Sequence, residues 1–183
     1  MTSEAAIARE SSVNPINAIG TSDRRASLRS REAEIGRSQN ERLSVFDGNG
    51  REIFRNDNGE KDRIEVPDNI PQKDMVITHN HPNGNSFSVG DMVAAVEKNL
   101  KELRAVYKDT VFSLKRPEGG WNVTADEIRS AYSSAMMDII HKDSSYQRRG
   151  DTAFTRSMLT MNRRMVRQIA KELGLRYTKS KIK

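Results

Sequence analysis

"VITHNHPNGNSFSVGD", residues 76–91, holds two of the three histidines in a chain of 183 residues, set one residue apart and followed ten residues later by an aspartate. The run "DMVITH" reads as a buried strand that leads directly into them. In a strand the side chains alternate, so His79 and His81 share a face and Asn80 points the other way. Pro82 then ends the strand, "NGNS" turns the chain, and Ser88 begins a helix with Asp91 in its first turn. That return can bring a carboxylate beside two imidazoles, giving two His ligands and one Asp with a fourth position left for water, the pattern of a catalytic zinc site. Each part also has a plainer reading. A His-x-His pair can be hydrogen-bonded surface, and Ser88 to Asp91 fits an S-x-x-D capping box.

Working outward, "RLSVF" and "REIFR" flank "DGNG" at residues 47–50, which predicts a hairpin. "RIEV" (63–66) is a further strand candidate before Pro67, and "RAVYK" with "TVFSLK" predicts a second hairpin turning at Asp109. Between the histidines and that hairpin, "VGDMVAAVEKNLKEL" (89–103) carries Met92, Val93, Val96, Leu100 and Leu103 at helical spacing. Strands, a helix and more strands predict an α/β class, a mixed β-sheet sandwiched by helices. After Trp121 the pattern is helical. "TADEIRSAYSSAMMDIIHK" has Thr124 as N-cap with Glu127 three residues on, and a second helix runs from Thr152 to a stop at Gly174.

Composition divides the chain in three. Residues 1–36 are polar with few large apolar groups and predict a flexible arm, helical around Arg25 to Ile35. Residues 37–124 form the expected core, and residues 125–183 a helical basic C-terminal extension. With 35% hydrophobic and 31% charged residues and a mean hydropathy of −0.76, one core with polar appendages is expected. There are no cysteines, which excludes disulfides, thiolate nucleophiles and Cys-ligated zinc, so any metal must rest on His, Asp, Glu and water. No long apolar run or secretory signal pattern is visible, and a cytoplasmic protein without membrane contact is the simplest expectation. The net charge is +6, and from Arg148 to Lys183 eleven basic residues face two acids, Asp151 and Glu172. Such an end can attract nucleic acid or an acidic protein partner, or can be a solvated helix face.

"HNHPNGNSFSVGD" resembles the JAB/MPN (JAMM) metalloprotease signature, His-x-His-Pro followed by Ser-x-x-Asp, and is similar in wording to RadC-type proteins and to domains found with phage head-morphogenesis proteins. "ERLSVFDGNGREI" resembles the strand that carries the family's upstream glutamate, here Glu41, and "AKELGLRYTK" is similar to chain ends of the phage-linked branch. The signature has seven residues between the second histidine and the serine, whereas Pro82 to Phe87 supply six, a difference Gly84 can absorb. The resemblance implies a JAB/MPN-like, cytidine-deaminase-like fold in which His79, His81 and Asp91 hold Zn²⁺. It further implies Glu41 as general base and Ser88 as a stabiliser of the tetrahedral intermediate, in hydrolysis of a peptide or of a protein conjugate. Glu32, Glu34 and Glu52 compete with Glu41 for the base. An assembly module that keeps the fold, and a RadC-like nucleic-acid-associated protein, remain alternatives. The letters "HNH" do not indicate an HNH nuclease, whose metal-finger residues lie far apart in sequence.

Overall fold

In the computed structural model, which describes residues 21–142 and 151–182, the chain runs α1 (Thr21–Ile35), β1 (Leu43–Phe46), β2 (Glu52–Asn56), β3 (Val76–Asn80), α2 (Val89–Glu97), β4 (Glu102–Tyr107), β5 (Thr110–Lys115), α3 (Ala125–Lys142), α4 (Asp151–Glu172) and β6 (Arg176–Lys181). Residues 1–20 of the expected arm, and Arg148 and Arg149 of the basic segment, lie outside the described residues. The strands form one mixed sheet in the order β2-β1-β3-β4-β5-β6, in which only the β3–β4 pair is parallel. The parallel pair is connected through α2, as a crossover between parallel strands requires.

The two faces of this sheet are chemically unlike. Leu43, Val45, Ile77, Leu103, Ala105, Phe112 and Leu114 point to one face, where they form the main core with residues of α2, α3 and α4. On the other face the register aligns Ser44, Thr78, Arg104 and Ser113 in one row across four strands. Helix α1 covers that polar row with charges. Arg31 donates to Ser44 Oγ at 2.8 Å, Thr78 donates to Glu32 Oε1 at 3.3 Å, and Arg104 binds both oxygens of Glu32. Arg31 and Glu32 are buried, and Ile35 completes a small apolar cluster with Val106 and Val111. The helical part of the expected arm is therefore packed on the sheet.

Three further expectations are corrected. "RIEV" is not a strand; Ile64 and Val66 instead pack, partly buried, against the edge of the main core. The sixth strand is β6, which pairs antiparallel with β5 at the chain's end, inside the extension expected to be helical. Helix α2 stops at Glu97, and Leu103 belongs to β4. Asn99 there has φ 49°, a left-handed conformation that breaks the helix and that asparagine tolerates.

The remaining landmarks agree with the sequence reading. Both hairpins form, Thr124 and Glu127 make a reciprocal capping box, and Gly174 at φ 66° ends α4. Among the described residues no helix is long and apolar enough to cross a membrane.

Candidate metal centre

Strand β3 delivers the histidines as alternation requires. Asn80 turns to the opposite face, where its Nδ2 donates to Asn40 O at 3.1 Å and its Oδ1 accepts from Arg42 N at 2.7 Å. His79 and His81 point together to the other side, and their Nε2 atoms stand 2.9 Å apart. Two lone pairs at that distance repel unless a proton or a cation lies between them.

Asp91 reaches the same point from the first turn of α2. Its Oδ1 lies 3.4 Å from His79 Nε2 and its Oδ2 lies 3.3 Å from His81 Nε2. These three residues form a group able to hold a metal ion, with both histidines buried and Asp91 partly so. The donor set fits such an ion. With bonds of ~2.0–2.1 Å, tetrahedral ligand atoms lie about 3.3 Å apart, close to the separations found. The imidazole tautomer fits as well. His81 Nδ1 is 3.3 Å from the Asn85 carbonyl, so that nitrogen donates and Nε2 keeps its lone pair for the centre.

Electrostatics follow from this crowding. Burial alone would push the Asp91 carboxyl up, but His79 and His81 outweigh it and hold the group well below the ordinary carboxylate range. Burial pulls the His81 imidazolium down, but Asp91, with Glu41 beyond it, outweighs this and leaves the group raised.

Glu41 comes to the site through sheet register. Leu43 pairs with His79 in the antiparallel β1–β3 ladder, so continuing the register by two residues sets Glu41 opposite His81. Its Oε1 is 3.8 Å from His81 Nε2, outside the three-residue group but beside it. Burial pushes its carboxyl up, against the pull of the two histidines. The competing acids are placed elsewhere: Glu32 and Glu34 lie on α1 behind the sheet, and Glu52 is held by Arg55. Gly59 allows this placement, since a Cβ there would stand 2.3 Å from the Glu41 carbonyl, and Glu41 N donates to Glu60 O at 2.7 Å.

Ser88 is the N-cap of α2. Its Oγ accepts from Asp91 N at 3.1 Å and donates to Asp91 Oδ2 at 2.8 Å. The hydroxyl proton is thus directed at the carboxylate. In this geometry Ser88 orients the Asp91 carboxylate, and it would have to release Asp91 before donating to any other oxygen.

The loop between His81 and Ser88 is held from a distance. Gly84 adopts φ 83° against the Tyr107 ring, where other residues would be strained. Asn162 of α4 accepts from Ser86 N at 2.8 Å and from Ser86 Oγ at 2.9 Å, and donates to Phe87 O at 2.9 Å. Arg163 donates to Gly84 O at 2.8 Å. Sequence reading missed these two residues because nothing in a helical pattern marks one polar position as a clamp for a loop 75 residues away.

Beside the centre lies a cleft of about 320 Å³, lined at one end by Glu41, His79 and Asp91. Its walls come from α2 and from residues 64–72. Comparison of the chain with protein-family models, with curated proteins and with solved structures finds no match.

Proposed function

We propose that this protein is a zinc-dependent hydrolase of peptide or isopeptide bonds, with a JAB/MPN-like core. The observation that carries the reading is the meeting of His79 Nε2, His81 Nε2 and Asp91 within 2.9–3.4 Å, with the buried carboxylate of Glu41 next to them but outside the group. Two imidazoles and one carboxylate suit zinc and leave a position for a reacting molecule. When bound, zinc supplies Lewis acidity, which makes water a competent nucleophile near neutral pH and polarises a carbonyl.

The protein's own residues do the rest. Asp91 stays ionised as a ligand because the imidazoles hold its proton affinity down, and Ser88 fixes its orientation. The Asn85 carbonyl sets the His81 tautomer. Glu41, with proton affinity raised by burial, accepts a proton from the attacking water and can return it to the leaving amine.

The test is a pair of measurements on Glu41→Gln. Zinc content and folding should match the unsubstituted protein, while turnover of any accepted peptide or isopeptide should fall by about 10²–10⁴. Equal turnover, or zinc retained at one equivalent by both His79→Ala and His81→Ala, would remove the reading.

A second reading is supported by charge. Arg164, Arg167, Lys171, Arg176 and Lys179 are exposed on α4 and β6. Those on α4 share one face and offer a basic surface for nucleic acid or an acidic protein, whether or not the centre is catalytic.

A further inference from the structure

We infer that the cleft beside the candidate centre is a side-chain subsite, and that the substrate is a peptide with an apolar residue of leucine size flanking the reacting amide. This rests on the hydrolase reading above and adds to it the chemistry of the substrate.

The cleft and the centre share one surface. Ile77 and His79 are two residues apart on β3 and face the same side, which places them roughly 6.6 Å apart along the strand. Leu43 lies across from His79 and Leu103 across from Ile77, so an apolar floor begins where the imidazoles end. Ile64 and Val66 form one wall and Ala94 of α2 the other. Consecutive Cα atoms are about 3.8 Å apart, so when an amide carbonyl sits at the centre, the neighbouring residue's side chain is within reach of that floor.

The volume of about 320 Å³ is at the lower end of the range for ligand pockets and accommodates one large side chain. A charged side chain would lose its hydration on the floor of Leu43, Ile77 and Leu103, whereas the charged residues that also line the cleft, Glu65, Asp68 and Lys98, have exposed side chains that stay in water at its rim. Glycine would leave the floor wet. An apolar chain removes that surface from water, and its affinity should rise accordingly.

The cleft can be probed without knowing the natural substrate. Hydroxamates chelate zinc through two oxygens, so acetohydroxamate reports on the metal alone and isocaproyl hydroxamate on metal plus cleft. With the zinc-loaded full-length chain, calorimetry should show the isocaproyl compound binding about tenfold to a hundredfold more tightly, the gain expected for burying a leucine-sized chain. Ala94 is an exposed wall residue, and Ala94→Trp, which fills the cleft from its open side, should bring the two affinities together. Equal affinities in the unsubstituted protein would overturn the subsite and leave the zinc reading standing. Failure of both compounds to bind would overturn the two together. A preference that survives Ala94→Trp would place the apolar contact elsewhere and overturn the assignment to this cleft.

Discussion

At Asp91 the two carboxylate oxygens face different neighbours. Oδ2 accepts from Ser88 N at 2.7 Å and from Ser88 Oγ at 2.8 Å and stands 3.3 Å from His81 Nε2, whereas Oδ1 carries no hydroxyl and stands 3.4 Å from His79 Nε2. Capping and metal ligation are therefore compatible on one side chain. In Asp91→Asn the amide oxygen can keep the Ser88 contacts in the Oδ2 position, which puts the NH₂ in the Oδ1 position beside His79, where a lone pair is needed, and removes the carboxylate charge. Helix content by circular dichroism should hold, and zinc affinity should fall by at least about tenfold. Unchanged affinity would reduce Asp91 to a cap. The same cluster makes the effect of zinc depend on pH. His81 has a raised folded pKa, so its stabilising charge in the metal-free protein is fully present below the unfolded value of about 6.5 and is lost as pH rises through the folded one. Zinc needs the deprotonated ring, so its affinity grows over that same interval. The rise in melting temperature produced by zinc should accordingly widen as pH increases from below about 6.5 through the raised folded value. The histidine pair was legible in the sequence because strand alternation is a local rule. Glu41 could be named only by resemblance, since what places it opposite His81 is the register between two strands, and pairing partners are not written in either strand alone.

Helix α4 illustrates what an element's own pattern conceals. Its apolar positions Met161, Met165, Val166 and Ile169 recur at helical spacing and form a buried stripe. Asn162 sits beside the stripe and is also buried, satisfied by Ser86 and Phe87 on the loop that joins His81 to α2. Asn162→Leu keeps approximate size and leaves Ser86 N and Phe87 O buried without partners, at a cost of about 1–3 kcal/mol each. Melting temperature should drop. If the loop is held for the sake of the centre, zinc affinity should also fall by about tenfold to a hundredfold, and Asn162→Gln or Asn162→Asp should recover part of the stability before the affinity. A stability loss with unchanged zinc affinity would make the clamp structural alone. Strand β6 and the docking of helix α1 on the sheet escaped the sequence reading for a related reason. "RYTKSK" is charged and polar along its whole length because it is an edge strand, and lysines at an edge discourage pairing with another molecule. Helix α1 docks on a polar sheet face through Arg31 and Glu32, so it has no apolar stripe to announce burial. "RIEV" misled in the opposite direction: β-branched residues suit a strand, but Ile64 and Val66 serve as a cleft wall.

For the whole molecule, the consequence is that the C-terminal segment cannot be removed to learn what it binds. Deleting residues 148–183 would strip Val166, Ile169 and Leu175 from the main core, unpair the outer edge of β5 and remove Asn162, which holds the loop between His81 and Ser88. Such a chain should lose cooperative unfolding, and with it zinc binding and any nucleic-acid binding alike, so the loss of one function would identify nothing. Charge must instead be changed where packing is untouched. Arg164, Arg167 and Lys171 are exposed and recur at spacings that place them on one face of α4. Replacing all three by Gln should leave the melting temperature and zinc content near those of the parent, because none contributes to the buried stripe. If this face contacts phosphates, affinity for DNA or RNA should fall steeply between about 50 and 200 mM salt and show little sequence preference. The slope of log affinity against log salt should then become shallower in the triple variant by up to about three, roughly one for each phosphate contact removed. A parent protein with no salt-dependent retention of nucleic acid would assign this surface to an acidic protein partner or to solvent. A slope unaltered by the triple substitution would move the contact to the other basic residues, Arg176 and Lys179 on the edge strand.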